Sequence, residues 1–286
     1  MRRAWAAAAA LTMAVAGCGS SGRLAAKTVP TSASTTTSTT TPTTVAPTTV
    51  ASTPTTSLPR VTTTTRVPAA AAPSSACPAN LATSLASTYS AHQLVTVEAS
   101  GYGTDIATVT LWQKSGSCWQ LAAGPWSGYI GHNGFAPPGQ KREGDGKTPT
   151  GIYGFGPVVY GIWSNPGVNE SYQQLDCGDW WDADSSSPTY NTFQDLACNY
   201  NPPFNNGSSE KLWEQTTAYT HFAVIDYNTA RVPGAGSGIF FHASTGGGTA
   251  GCVSVPQTDL DWFLRWMEPS QAPLIAMGTA SEITRL

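Results

Sequence analysis

From residue 94 onward, apolar and polar positions alternate at a period of two through several short runs, the mark of half-buried strands. The runs LVTVEA (94–99), ATVTLWQK (107–114) and CWQLAA (118–123) are separated by Gly and Ser, and a further pair, IYGF and PVVYGIW, follows Gly151. HFAVIDY (221–227) and GIFFHAS (238–244) close the series. Helical spacing occurs twice. Leu81, Leu85 and Tyr89 predict a short helix within 78–91, and Leu260, Phe263, Leu264 and Met267 fall on one face of PQTDLDWFLRWM, with Thr258 and Asp261 placed like a capping box. Residues 131–151 and the Asn-, Asp- and Trp-rich stretch 164–217 carry no such period and are expected as loops, the longer one a lid or binding surface. The pattern predicts a mainly β fold: one domain, sandwich- or barrel-like, with a short N-terminal helix and a second helix after Cys252.

The pattern is absent before residue 77, and composition explains why. Residues 1–18, MRRAWAAAAALTMAVAGC, have a charged start, an apolar stretch and small residues before Cys18, which predicts an export signal too short to span a membrane. Its last four residues resemble the bacterial lipobox, which implies cleavage before Cys18 and acylation of that thiol. Residues 19–76 are dominated by Thr, Pro, Ser and Ala and cannot bury enough apolar surface to order themselves. Extended at ~3.1 Å per residue, such a linker reaches on the order of 100 Å or more. The expected organisation is therefore signal (1–18), linker (19–76) and globular domain (77–286), the whole lipid-anchored outside the cytoplasm. The domain holds nine of the ten tryptophans, and the net charge is only -3 with no Lys/Arg cluster, which argues against nucleic acid as a partner. A monomer is expected.

Six cysteines are present. With Cys18 set aside for lipid, five remain, an odd number for an oxidising compartment. Cys77, Cys118, Cys177 and Cys198 allow three pairings; the sequential one, Cys77–Cys118 with Cys177–Cys198, is favoured because each bridge closes a local loop. Cys252 is then the free thiol. It sits in a Gly-Cys turn between a strand and a helix, a geometry that projects a side chain and aims backbone N–H groups at what bonds to it. Thiol chemistry needs the thiolate, and an imidazole nearby can take the proton. His242, ten residues earlier at the end of a strand, is the candidate base.

Three segments together, KTPTG (147–151), FFHA (240–243) and TAGCVSV (249–255), resemble the L,D-transpeptidase family, the YkuD-like enzymes that cross-link bacterial peptidoglycan. The resemblance covers roughly residues 94–280 and implies the family's catalytic-domain fold. It also implies a nucleophile at Cys252, a base at His242, and support from Gly251, Ala250, Ala243 and Ser254, with the N–H groups of Gly251 and Cys252 as oxyanion donors. The Ala243 carbonyl is the expected partner of His242. Two positions depart from the family motif: Ala250 stands where histidine is usual, and Ser254 where Arg or Asn is usual. The implied reaction is attack on a peptidoglycan stem peptide, release of D-alanine, and capture of the thioester by an amine of a second stem to give a 3-3 cross-link. Alternatives are capture by water, which makes an L,D-carboxypeptidase, or a peptidoglycan-binding lipoprotein without turnover. His221, Trp180 and Trp181 are possible substrate contacts, the two tryptophans read as surface-placed. No cofactor is implied, and the spacing of His221, His242 and Cys252 fits no zinc pattern.

Overall fold

The computed structural model describes residues 76–286; the expected export signal, the acylated Cys18 and the linker up to residue 75 lie outside the described residues. In chain order the elements are α1 (Leu81–Ser84), β1 (Gln93–Ala99), β2 (Ile106–Ser115), β3 (Cys118–Tyr129), β4 (Phe135–Ala136), β5 (Thr148–Pro149), β6 (Gly151–Gly161) and β7 (Ser171–Gln174). There follow β8 (Asp179–Asp182), β9 (Thr192–Asp195), β10 (Glu210–Lys211), β11 (Phe222–Ile225), β12 (Phe240–Ala243), β13 (Val253–Val255), α2 (Gln257–Trp266) and β14 (Leu274–Thr279).

Eight strands run side by side in the order β11-β12-β13-β3-β2-β1-β14-β6, and β6 pairs back onto β11, so the sheet closes into a barrel. Closure removes the unpaired edges that an open sheet of this width would present. The period-two pattern now has a direction. Val95, Val97, Val109, Leu111, Ile275, Met277, Phe241 and Val253 point inward, where they pack with Leu260, Phe263 and Leu264 of α2 and with Met267 at its C-cap. All four of these residues are fully buried, each contributing roughly 1.5–3 kcal/mol.

Two expected strand breaks are not breaks. Gly124 and Pro125 lie within β3, opposite Thr110 of β2, where the register shifts by a bulge between Leu111↔Ala123 and Val109↔Trp126. Likewise IYGF and PVVYGIW form the single strand β6. Its Gly156 and Pro157 fall between the residues paired with β14 and those paired with β7, and have no partner in β11 either, so the missing proline N–H costs no ladder bond.

Both helix starts also differ from expectation. The first helix is one turn, not a segment of 78–91: Asn80 caps it in a box with Thr83, and Leu85 already returns to extended backbone. In α2, Pro256 stands at the N-cap with no side-chain cap, so Thr258 and Asp261 form no capping box. Asp261 instead accepts hydrogen bonds from Gln257 Nε2 (2.8 Å) and His221 Nδ1 (3.0 Å).

Residues 164–217 are more ordered than their composition suggests. They hold β7 and a three-stranded antiparallel sheet in the order β10-β8-β9. The Cys177–Cys198 disulfide joins the segments that enter β8 and leave β9, and Cys77–Cys118 ties the N-terminal segment to the start of β3. The small sheet lies on the outward face of β11 and β12, where Trp181, Leu212 and Tyr219 bury Phe222 and Phe240 in a second apolar cluster.

Candidate active site

Alternation along β12 decides what faces where. Phe241 and Ala243 go into the barrel; Phe240 and His242 therefore point outward, toward the small sheet. β13 runs parallel to β12 with His242 opposite Ser254, which brings Cys252, just before β13, alongside Phe240. Strand register alone thus sets thiol and imidazole on one face, two positions apart.

The turn that delivers Cys252 depends on Gly251. Its φ of 151° lies where side chains are disfavoured, and a Cβ there would come within 2.9 Å of the Lys147 carbonyl oxygen. The KTPTG segment holds this turn in place. Thr148 Oγ1 accepts from the Gly131 N–H (2.8 Å) and donates to the Gly251 carbonyl (2.8 Å), while Thr249 Oγ1 donates to the Cys252 carbonyl (2.7 Å). The Gly251 N–H, expected as an oxyanion donor, is instead taken by Thr249 Oγ1 at 3.1 Å.

Cys252 is the free cysteine among the described residues and is buried. Its thiol donates to the Gly238 carbonyl (3.2 Å) and accepts from the Phe240 N–H (3.3 Å); neither bond reaches His242. Burial pushes the thiol pKa up to about 12, with the charge of Glu210 acting in the same direction and the Phe240 N–H and Lys141 opposing it. His242 donates from Nδ1 to the Ala243 carbonyl at 2.8 Å, which leaves Nε2 as the acceptor. Burial lowers its pKa to about 4, partly offset by that hydrogen bond. At neutral pH the site therefore holds a neutral thiol and a neutral imidazole, not an ion pair.

Both side chains line a cavity of about 380 Å³ that also receives Lys141, Glu210, Tyr219 and Ala250. Tyr219 presents its ring edge-on to His242, with centroids 5.5 Å apart, and donates its hydroxyl to Glu210 Oε2 at 2.5 Å. Lys141 is almost fully buried and is committed to Asp145 Oδ1 (2.6 Å) and the Arg142 carbonyl (2.8 Å). None of Glu210, Tyr219 and Lys141 was singled out by the sequence pattern; the signal available was that each is polar in a domain with few charges.

A family profile for the L,D-transpeptidase catalytic domain (YkuD) matches residues 108–279, more than half of the chain and the whole of this site. The chain belongs to that family. No curated protein and no solved structure matches it. L,D-transpeptidases act on the peptides of peptidoglycan, typically through a cysteine, and this L,D-transpeptidase domain has the mainly β barrel expected of it.

The other expected site residues are distributed unevenly. Ala250 is exposed at the cavity, and Ala243 supplies the carbonyl that accepts from His242 Nδ1. Ser254 is fully buried beside His242, does not line the cavity, and its hydroxyl has no hydrogen-bond partner. His221 does not line the cavity either: it is buried on β11's approach, with Nδ1 on Asp261 and Nε2 on the Ser164 carbonyl (3.0 Å). Trp180 and Trp181 are not surface-placed. β8 is the central strand of the small sheet and is covered on both faces, so Trp181 packs on Phe240 while Trp180 packs between Phe204 and Trp213.

Proposed function

We propose that this chain is a peptidoglycan L,D-transpeptidase in which Cys252 is the nucleophile and His242 its base. The observation that carries the reading is the shared cavity: a free thiol on a glycine turn and an imidazole whose Nδ1 is tied back, so that its Nε2 is the atom left to take a proton. As sulfur bonds to the carbonyl carbon of the L-centre to D-alanine bond, the thiol proton passes to His242 Nε2. Collapse of the tetrahedral intermediate breaks the C–N bond, and the imidazolium returns the proton to the departing D-alanine amine. The thioester is then resolved by a side-chain amine of a second stem, which forms a 3-3 cross-link. The Phe240 N–H, already directed at sulfur, stabilises thiolate character as it develops, and the Ala243 carbonyl stabilises the imidazolium. On this reading Cys18 carries lipid and the linker extends the domain from the membrane into the wall.

A wall-binding protein without turnover is the alternative, and the neutral, buried state of the resting thiol is the observation that favours it. Intact-mass spectrometry with a carbapenem and with a tetrapeptide stem separates the two. One adduct, abolished in Cys252→Ala and slowed in His242→Ala, supports the transpeptidase. A free Cys252 inert toward both reagents overturns it.

A further inference from the structure

Glu210 opens the two-residue strand β10, and its pairing with Trp181 in β8 holds it over the outward face of β12. Its Oε1 lies 3.7 Å from the point where a Cβ on Gly238 would stand, and the Gly238 carbonyl is the thiol's acceptor. The carboxylate is therefore a near neighbour of the nucleophile, and it is joined through the Tyr219 hydroxyl to the ring that packs edge-on against His242. Only Oε2 is satisfied, by Tyr219; among the described residues Oε1 accepts no hydrogen bond, and no Lys or Arg stands within ion-pair distance of the group. The nearest cationic side chain lining the cavity, Lys141, is already committed to Asp145. The half-buried carboxylate lines the cavity with Oε1 accessible and no cation of the described residues paired to it, an arrangement that favours a cation arriving with the substrate.

The reaction supplies one. An amine that is to attack a thioester reaches the site as an ammonium and must lose a proton first. His242, neutral again once D-alanine has left, carries one amine proton to sulfur; the ammonium must shed another, and that proton requires a second base. We propose that Glu210 binds the ammonium group of the acceptor peptide and takes its proton, so that it steers the thioester toward an amine rather than water. This assignment rests on the thioester reading above.

The step balances as follows. The ammonium gives one proton to Glu210 Oε1, and the free amine forms a C–N bond to the thioester carbonyl. His242 Nε2 takes the second amine proton, the C–S bond breaks, and the imidazolium reprotonates sulfur. Glu210 releases its proton to solvent. Burial raises Glu210 above the usual carboxylate range, against the opposing pull of the Tyr219 hydrogen bond, which makes it the better base. The same charge disfavours the thiolate, so the residue opposes the first half-reaction and assists the second.

That opposition of signs provides the test. In Glu210→Gln, which keeps an oxygen for Tyr219, acylation by a carbapenem followed by intact mass is expected to become faster. With a tetrapeptide donor and an acceptor peptide bearing a free side-chain amine, the ratio of cross-linked dimer to hydrolysed tripeptide is expected to fall about 10-fold or more. In Glu210→Ala, added acetate is expected to restore part of that ratio, a rescue that a purely structural role does not allow. An unchanged ratio in an enzyme that acylates overturns the assignment alone, as does a parallel loss of acylation and cross-linking without rescue by acetate. No acylation of either wild type or variant overturns the thioester reading and the assignment with it.

Discussion

The two threonines of the TPTG segment give a matched pair of perturbations. Thr148 is fully buried; its hydroxyl accepts from Gly131 and donates to Gly251, both of which are buried. Thr148→Val keeps the shape, so no cavity term arises, but it leaves one N–H and one carbonyl without partners. At about 1–3 kcal/mol for each orphaned group, with some relief by relaxation, the loss comes to about 2–4 kcal/mol. Thr150, two residues on, is also buried, yet its hydroxyl has no partner at all. Thr150→Val removes that orphan and is expected to leave stability unchanged or raise it by about 1 kcal/mol. Guanidinium unfolding followed by tryptophan fluorescence, with disulfides intact, measures both. Maleimide labelling of Cys252 in native buffer reads the local effect: the Thr148 variant, its turn unpinned, is expected to label faster, and the Thr150 variant at the wild-type rate. Equal stability losses at the two positions would refute the clamp, as would a Thr148 variant that loses less than about 0.5 kcal/mol.

Further predictions follow from the charge states and the packing. Because burial holds the thiol near 12, the alkylation rate of Cys252 is expected to climb about tenfold per pH unit from 8 to 10 without levelling off; a plateau near neutral pH would reveal a preformed thiolate. His242 has a folded pKa of about 4 against an ordinary 6.5, so its contribution is complete above pH 6.5 and is lost as pH falls toward 4, a span of about 3 kcal/mol. The acid limb of the stability profile is therefore expected to be shallower in His242→Asn, and an identical limb contradicts the neutral buried imidazole. His221→Gln is expected to cost about 1–3 kcal/mol through its bonds to Asp261 and Ser164 while leaving Cys252 labelling within about twofold of wild type. A large change in labelling would place His221 in the site after all. Replacing both Cys177 and Cys198 by Ser opens a loop spanning a 21-residue separation and is expected to cost about 3 kcal/mol in the same unfolding assay; no loss would mean that the small sheet holds that loop closed by itself.

What could be read from the chain was what depends on local order or on parity. Period-two runs gave the barrel strands, because each buries one face, and the odd cysteine pointed to Cys252 because the other four close local loops. The breaks expected at Gly124-Pro125 and Gly156-Pro157 are absent because Gly and Pro punctuate a strand without always ending it. Bulges and unpaired gaps let the strands run through them. Glu210 was invisible for a different reason. It lies in a two-residue strand within a stretch that has no apolar period, and its meaning comes from Tyr219 and from a thiol 42 positions later in the sequence. Trp180 and Trp181 were misjudged because their flanking aspartates suggested a surface. Asp179 and Asp182 are themselves buried, with Asp179 accepting from the Asp176 N–H and Asp182 from Thr189.

The hydrogen bonds that hold the Cys252 thiol, one from the Phe240 N–H and one to the Gly238 carbonyl, also bear on durability. Peroxides and other oxidants attack thiolates, and the ladder from sulfenic to sulfonic acid begins only where thiolate is populated and reachable. A sulfur stored in protonated form beneath the small sheet offers them neither. On the proposed reading, in which Cys252 is the nucleophile, this storage keeps the thiol intact between turnovers and confines its exposure to oxidants to the interval in which a bound peptide draws the proton away.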